Sequence, residues 1–189
     1  MVFVWRPLLQ RRRHGTWGLV LFKGSAAQKV RDVMLFALPV LLVGQAVVAT
    51  HAPHALGVSE ADLRAPAFLR NALGTLLMYG GLLFQGTAML DLGASWRIGI
   101  EERAQPGLVT GGLYRHTRNP IFLALIAVLV GYTLLIPTLL SALILAAAVF
   151  AIRQQIAEEE AYLLRAYGDS YRRYASRVGR LLPGIGRLG

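Results

Sequence analysis

Two clusters of charged residues offer chemistry in this sequence. One is an Arg-Asn-Pro turn at residues 118–120, and the other is a run of three glutamates at residues 158–160. A guanidinium pairs with carboxylate or phosphate groups, and carboxylates hold a cation in a site of low dielectric constant. The apolar stretch between the clusters is predicted to form a helical hairpin in a membrane. This order places charged residues on both sides of the hairpin and suggests an enzyme at a membrane surface.

The residues around the first cluster each have a structural explanation as well as a functional one. Gly111 and Gly112 permit positive φ and a close approach of the backbone to a ligand, or they form a simple turn. Pro120 suits the first turn of a helix and Asn119 suits its N-cap. Arg118 could bind an anion, or its side chain could reach from a capped helix to the membrane surface.

Four apolar segments must position these clusters, and each approaches the length that a helix needs to cross a bilayer. The last two are short and are separated by Pro137, which predicts a tight helical hairpin and not one continuous helix. The segments are Val33 to Thr50, Phe68 to Leu90, Ile121 to Ile136 and Thr138 to Ile152.

The basic residues alternate between the loops as four membrane spans require. Of the 20 Lys and Arg residues, 18 precede the first segment, lie between the second and third, or follow the fourth, and only Arg64 and Arg70 flank the opposite loop. By the positive-inside rule, both termini and the 91–119 loop are predicted to be cytoplasmic. The expected location is a bacterial inner membrane.

Composition narrows the class of protein. The chain is 55% hydrophobic and 16% charged, which predicts an integral membrane protein of one domain. The net charge of +10 is attributed to membrane orientation and anionic lipid, because no basic stripe with interleaved aromatic residues suggests a nucleic-acid partner. Cysteine is absent, so thiolate chemistry is excluded. His51 and His54 have a metal-like spacing, but Pro53 and the lack of a third ligand argue against a metal site.

The C-terminal half resembles the isoprenylcysteine carboxyl methyltransferase and phospholipid methyltransferase group of membrane enzymes. The resemblance covers about residues 91–183. It rests on the segment Leu-Val-Thr-Gly-Gly-Leu-Tyr-Arg at 108–115, on Arg-Asn-Pro-Ile-Phe at 118–122, and on Glu-Glu-Ala-Tyr-Leu at 159–163. Further matches follow at Tyr167, Gly168, Tyr171, Tyr174, Val178, Arg180 and Pro183.

This resemblance implies a fold and a cofactor. The fold is all-α and polytopic, with about four transmembrane helices, a C-terminal hairpin and a cytosolic amphipathic C-terminal helix that Gly168 could interrupt. Within one membrane domain, residues 1–31 form a basic cytosolic or interfacial N-terminus, 33–90 two transmembrane helices, and 91–183 the catalytic region. The implied cofactor is S-adenosylmethionine, and the implied partner is a lipid or small hydrophobic methyl acceptor.

The same resemblance implies the site residues. Glu159 and Glu160 are expected to hold the amino acid or ribose part of the cofactor, and Arg118 and Arg115 to meet its carboxylate or an anionic acceptor. Arg118 and Arg165 are the candidate catalytic residues, with Arg165 orienting the acceptor. The candidate cofactor-binding residues are Leu108, Val109, Gly112, Tyr114, Arg115, Asn119, Pro120, Phe122, Glu159 and Glu160.

Two positions depart from the pattern of the eukaryotic members of this group. Asn119 stands where those members usually have His, and Phe122 where they have Tyr. An Asn amide can still pair with an adenine edge, whereas Phe122 can stack but cannot donate a hydroxyl hydrogen. The first 90 residues match nothing diagnostic, so the identity of the acceptor stays open.

Two other functions remain as alternatives. A membrane reductase that uses NADPH would resemble this C-terminal half, but such reductases have many more spans than this chain can form. A small transporter or structural membrane protein would be expected to carry ionisable residues within its spans, whereas here they crowd the cytosolic ends.

Overall fold

The computed structural model describes residues 8, 11–12, 26–57, 68–93 and 107–188. Four α-helices make up most of this described part: α1 at Ala26–His51, α2 at Phe68–Asp91, α3 at Pro120–Leu135 and α4 at Leu139–Arg177. Short 3₁₀ turns lie at Pro53–Leu56 and Gly112–Arg115. The predicted all-α class is confirmed. Most of the basic N-terminus and residues 94–106, which include Trp96 and Glu101, lie outside the described residues.

The helices alternate in direction. Gln45, near the end of α1, donates to the hydroxyl of Thr138 at 2.6 Å, so the end of α1 meets the turn between α3 and α4. The start of α2 packs against the end of α3, where Gly74 faces Gly131. Asp91, Arg118 and the C-terminal segment therefore come together at one end of the bundle. We call this the charged end.

Two of the described helices, α2 and α4, are long and apolar enough to cross a membrane. Helix α3 has 16 residues, or about 24 Å at 1.5 Å per residue, and the apolar part of α1 is equally short. Large apolar side chains point outward from these helices, among them Leu69, Leu83 and Phe150. Such outward faces suit an integral membrane protein, while the number of full spans stays a prediction.

Small residues let α2 and α3 approach closely. A Cβ atom added to Gly131 would stand 2.6 Å from the carbonyl oxygen of Gly74 and 2.7 Å from the amide nitrogen of Met78. One added to Gly81 would lie 3.0 Å from the carbonyl of Ala124. We call Gly74, Gly81 and Gly131 the glycine seam. Small residues of this kind let membrane helices pack closely, whereas Gly80 on the same helix α2 has open space around it.

The predicted hairpin forms, with a break at residues 136–138. Thr138 caps α4: its hydroxyl accepts the amide of Ser141 at 3.0 Å, and the Ser141 hydroxyl accepts the amide of Thr138 at 3.1 Å. This reciprocal pairing gives the amide of Ser141 an acceptor at the start of α4, where the helix itself supplies none. Pro137 thus separates two helices, as expected.

Helix α4 does not end at Ile152, where the fourth apolar segment stops. It continues to Arg177, because no Gly or Pro follows until Gly168 and the intervening residues favour helix. The prediction of a span followed by a separate amphipathic helix is corrected in this respect. The predicted interruption at Gly168 is confirmed, since its φ of 49° and ψ of −123° are not helical.

Candidate functional site

The C-terminal segment folds back onto the start of α3. The amide of Arg118 donates to the carbonyl of Gly179 at 2.9 Å, and Thr117 and Gly179 form a parallel β-bridge. The hydroxyl of Thr117 and the side-chain amide of Asn119 both donate to the carbonyl of Arg180. These bonds hold residues 178–180 against the residues that precede α3, at the charged end.

Arg118 is the centre of this arrangement, with a side chain that is 1% exposed. Its Nε and Nη2 donate to Oε1 of Glu160 at 3.1 and 2.7 Å. Nη1 donates to the carbonyls of Ala175 and Val178 at 2.7 and 2.9 Å, and Nη2 also to the carbonyl of Gly186 at 2.9 Å. A guanidinium has five N–H donors, and all five are used here.

The contacts of Arg118 explain the bend at Gly168. In a straight helix Glu160 and Ala175 would be about 22 Å apart, which one guanidinium cannot bridge. The positive φ of Gly168 turns the last part of α4 back, so that its terminal carbonyls and Glu160 reach the same side chain. A cation among the last carbonyls of a helix also complements the helix dipole.

Glu160 is shared between two arginines. Its Oε1 accepts from Arg118 and from Nε of Arg180, and its Oε2 accepts from Nη2 of Arg180 at 2.6 Å. The Glu160 side chain is 7% exposed, whereas that of Arg180 is 47% exposed. We call Arg118, Glu160 and Arg180 the Arg-Glu cluster. It has a buried face made by Arg118 and an outer face covered by Arg180.

Asn119 and Pro120 are both buried at the first turn of α3. Pro120 occupies the first helical position, as predicted. Asn119 occupies the N-cap position, but its side chain makes no capping hydrogen bond and donates instead to the carbonyl of Arg180 at 2.9 Å. The predicted N-cap position is therefore confirmed, and the side-chain amide is directed to the folded-back C-terminal segment, which supplies its acceptor.

The end of α2 supports the loop that precedes α3. Oδ2 of Asp91 accepts the amide of Leu113 at 2.8 Å. A side chain on Gly112, whose φ is 58°, would collide with the Asp91 carboxylate. Glycine is therefore favoured at position 112 for two reasons: the positive φ and the lack of space for a Cβ atom. Sequence reasoning gave Asp91 no role, since its partner lies 22 residues away.

Glu159 differs from Glu160 although the two are adjacent. It is half-buried, and its Oε1 accepts from Nε2 of Gln155 at 3.0 Å. Burial, and to a smaller extent the negative charge of Glu159, raise the pKa of Tyr114. Tyr114 lies within the predicted binding loop, and its carbonyl accepts the hydroxyl of Tyr174 at 2.6 Å. This hydrogen bond joins the predicted binding loop to the last part of α4.

The other predicted site residues are half-buried or exposed. Leu108, Val109 and Phe122 are half-buried. Arg115 is exposed, and its Nε donates to the neighbouring His116 ring at 2.9 Å. Arg165 is exposed on α4 and has no ion pair with a described residue. The structure does not bring Arg165 into the Arg-Glu cluster.

Two tyrosines without an assigned role line the same region. Tyr171 is 1% exposed, and its hydroxyl has no hydrogen-bond partner among the described residues. Its ring meets that of Tyr174 edge to face, with centroids 6.0 Å apart. Burial raises the pKa of Tyr174 to about 12, so both rings remain neutral at physiological pH. Their spacing on an amphipathic helix was the available signal for this placement.

The fold and the site together define a class: an all-α integral membrane protein with a buried charged cluster at one end of its bundle. Residues 69–170, more than half of the chain, match the phospholipid methyltransferase family model. The chain belongs to this family of membrane methyltransferases. The resemblance found in the sequence is thereby confirmed.

Two further comparisons show what the chain is similar to. It is 30% identical over 133 residues to protein-S-isoprenylcysteine O-methyltransferase of Schizosaccharomyces pombe. The aligned region covers 64% of this chain and 56% of the yeast protein. The fold of this chain is similar to a solved structure of the eukaryotic intramembrane Ras methyltransferase ICMT (isoprenylcysteine carboxyl methyltransferase), with a TM-score of 0.65 and 18% identity. That match covers 97% of this chain and 62% of the other. The chain thus spans less than two thirds of either relative.

Proposed function

We propose that the protein transfers a methyl group from S-adenosylmethionine to a lipid or small hydrophobic acceptor at the membrane surface. Membership of the phospholipid methyltransferase family supports a methyl donor. The observation that carries the proposal is the half-buried Glu159, which adjoins Glu160 of an Arg-Glu cluster that holds the surrounding backbone in place. This combination favours methyl transfer over the reductase and transporter alternatives.

The two adjacent glutamates have different roles in this proposal. Glu160 accepts four hydrogen bonds from two arginines, so its charge is already balanced within the protein. Glu159 is half-buried on the same helix and accepts a hydrogen bond from the side-chain amide of Gln155. We therefore assign cofactor binding to Glu159, through the ammonium or the ribose hydroxyls, and a positioning role to Glu160.

Arg118 likewise has a positioning role. All five of its donors are used by Glu160 and by backbone carbonyls, which leaves none for the carboxylate of a cofactor or acceptor. Arg115 and Arg165 are exposed and remain the candidates for meeting an anionic group. The half-buried ring of Phe122 is suited to stack against adenine.

The residues present fit this cofactor, because its cationic and hydroxyl groups require carboxylate acceptors in a site of low dielectric constant. When bound, S-adenosylmethionine supplies a methyl group on a sulfonium, which needs no further activation. The protein then has to align the acceptor with that methyl carbon and exclude water. The acceptor contributes the electron pair for the new bond, and the bond from carbon to sulfur breaks to leave a neutral thioether.

An acceptor could reach the site from within the bilayer. Apolar side chains face outward along α2 and α4, so a hydrophobic molecule can approach without crossing a polar surface. Nothing in these faces selects one acceptor, and we therefore propose only its hydrophobic character. The yeast relative is named for a prenylated cysteine, which is one acceptor of this kind.

Calorimetry with the detergent-purified chain tests the assignment of the glutamates. Wild-type protein is expected to bind S-adenosylmethionine and S-adenosylhomocysteine saturably. Glu159→Gln should weaken S-adenosylmethionine binding about tenfold or more, because it removes charge-assisted hydrogen bonds. Glu158→Gln removes the same charge one residue away, at an exposed position, and should leave the affinity within about twofold.

Two results would contradict the proposal or the assignment of Glu159. If wild-type protein binds neither methyl compound but binds NADPH, the reductase alternative replaces the proposal. If Glu159→Gln binds as tightly as wild type, the assignment of Glu159 is wrong, even where methyl-donor binding itself is established.

We further propose that the charged end faces the cytoplasm, as the distribution of basic residues indicates. The chain has no cysteine, so single substitutions can be labelled without background. In intact cells, an impermeant maleimide should label the exposed position of Ala55→Cys and spare that of Ser176→Cys until the membrane is opened. The reverse pattern would invert the proposed orientation.

A further inference from the structure

Two large apolar side chains are exposed on a loop at the charged end. Leu182 and Ile185 are 49% and 64% exposed. They lie in the C-terminal segment, residues 178–188, which follows α4 and contains none of the candidate site residues. Outward apolar side chains on the membrane helices are expected to meet lipid, but these two lie outside any helix. An apolar pair on an ordered loop indicates a contact surface.

The sequence Leu-Pro-Gly-Ile at 182–185 forms a tight turn that keeps this pair together. The amide of Ile185 donates to the carbonyl of Leu182 at 3.1 Å, and Gly184 has a φ of 79°. Proline at the second position and a glycine of positive φ at the third are typical of a type II turn. A β-turn brings its first and last Cα atoms within about 7 Å, so Leu182 and Ile185 are neighbours.

The backbone of this turn is bonded to the bundle on its inner side. The amide of Arg180 donates to the carbonyl of Ile185 at 2.7 Å. Nη2 of Arg118 donates to the carbonyl of Gly186 at 2.9 Å. These bonds direct backbone carbonyls toward the Arg-Glu cluster, whereas the side chains of Leu182 and Ile185 stay exposed. The apolar pair is therefore presented on a held loop.

The turn lies at the level of the membrane surface. The amide of Arg118 donates to the carbonyl of Gly179, so the C-terminal segment lies beside the residue that precedes the first turn of α3 by two positions. Helix α3 is about 24 Å long, and the hydrocarbon core of a bilayer is roughly 30 Å thick, so both ends of α3 lie near an interface. The last part of α4 returns to this level from the bend at Gly168, which lies farther from the membrane.

The charges beside the turn suit a lipid surface. Residues 178–188 include Arg180 and Arg187 and no acidic residue. Arg187 is exposed, and its guanidinium lies near Gly184 of the turn. Segments that lie in a membrane interface combine apolar side chains, which enter the acyl boundary, with basic side chains that stay among the head groups. This composition favours a bilayer over a soluble protein as the partner.

We propose that the turn at residues 182–185 is a membrane-interface anchor, in which Leu182 and Ile185 insert among the lipid chains. The partner is the bilayer as a surface, so the anchor requires no pocket and no particular lipid. The proposal does not depend on methyl transfer. Because the carbonyls of Gly179 and Gly186 accept from Arg118, anchoring the turn also holds the C-terminal segment against the Arg-Glu cluster.

Spin labelling of the full chain in nanodiscs of phosphatidylcholine and phosphatidylglycerol tests the anchor. The chain has no cysteine, so Pro183→Cys carries a single label at the exposed turn and leaves both apolar side chains intact. This label should collide more with oxygen, which concentrates in lipid, than with a water-soluble nickel chelate. Asp169→Cys is the matched control at an exposed position beside the bend, and its label should show the reverse preference.

A second arm tests the two apolar side chains themselves. Leu182→Asn together with Ile185→Asn, in the Pro183→Cys chain, should shift the label from oxygen to the nickel chelate, because the anchor loses its apolar groups. Circular dichroism checks that this variant is folded. Three results would overturn the proposal: a Pro183→Cys label as open to the nickel chelate as the control, a label shielded from both reagents by another protein surface such as a second copy, or an unchanged preference in the asparagine variant.

Discussion

The glycine seam and the Arg-Glu cluster hold the bundle together by opposite means. At the seam, backbones of α2 and α3 meet because Gly74, Gly81 and Gly131 have no side chains to separate them. At the cluster, Arg118 joins Glu160, the end of α4 and the C-terminal segment through five donors. Within lipid, apolar side chains gain little by packing inward, so close fit must supply the contact energy. At the charged end, buried polar groups require partners, and those partners fix the loops.

The largest effect is expected from breaking the cluster at its buried face. Arg118→Gln leaves the Glu160 charge with only the half-exposed Arg180 and removes the guanidinium hydrogen bonds to three backbone carbonyls. We expect a loss of about 3–5 kcal/mol in the free energy of unfolding, as for other broken buried ion pairs. Unfolding in mixed detergent micelles measures it.

Arg180→Gln is the matched control, since it removes an arginine from the same carboxylate at the outer face. Because Arg180 is 47% exposed, the cost should be about 1 kcal/mol or less. Equal losses for the two variants would contradict the division of the cluster into a buried and an outer face.

A smaller loss is expected at the bend that lets the cluster form. Gly168 has open space around its Cα, so Gly168→Ala meets no atom, but its φ of 49° and ψ of −123° strain any L-residue. We expect a cost of about 1–3 kcal/mol in the free energy of unfolding. If alanine is tolerated without loss, the turned-back arrangement of the last part of α4 is wrong.

The seam is tested by adding one methyl group. Gly131→Ala would force its Cβ against the backbone of α2, at Gly74 and Met78, and should cost about 1–3 kcal/mol. Gly80→Ala adds the same atom to α2 where no other atom lies within 4 Å, and should be neutral or slightly stabilising. Thermal unfolding of the two variants in detergent makes the comparison. A Gly131→Ala protein as stable as wild type would show that the helices can separate without cost.

Sequence patterns predicted the features that depend on local chemistry. The hairpin follows from apolar segments on either side of Pro137, the start of α3 from Pro120, and the interruption of α4 from Gly168. Its continuation past Ile152 was missed, because the end of an apolar run was taken as the end of a helix. Helix propensity and hydropathy are independent, and only propensity decides where a helix stops.

The sequence by itself determined that two charged clusters flank an apolar hairpin, since composition and spacing fix which residues are available. Only the tertiary structure decided that Glu160 is paired with Arg118 and Arg180, while the adjacent Glu159 accepts from Gln155 on its own helix. Adjacent residues on a helix point about 100° apart, and nothing local indicates which direction meets a residue 42 positions away. The folding back of the C-terminal segment made that choice, because buried charges must be paired wherever the chain brings them.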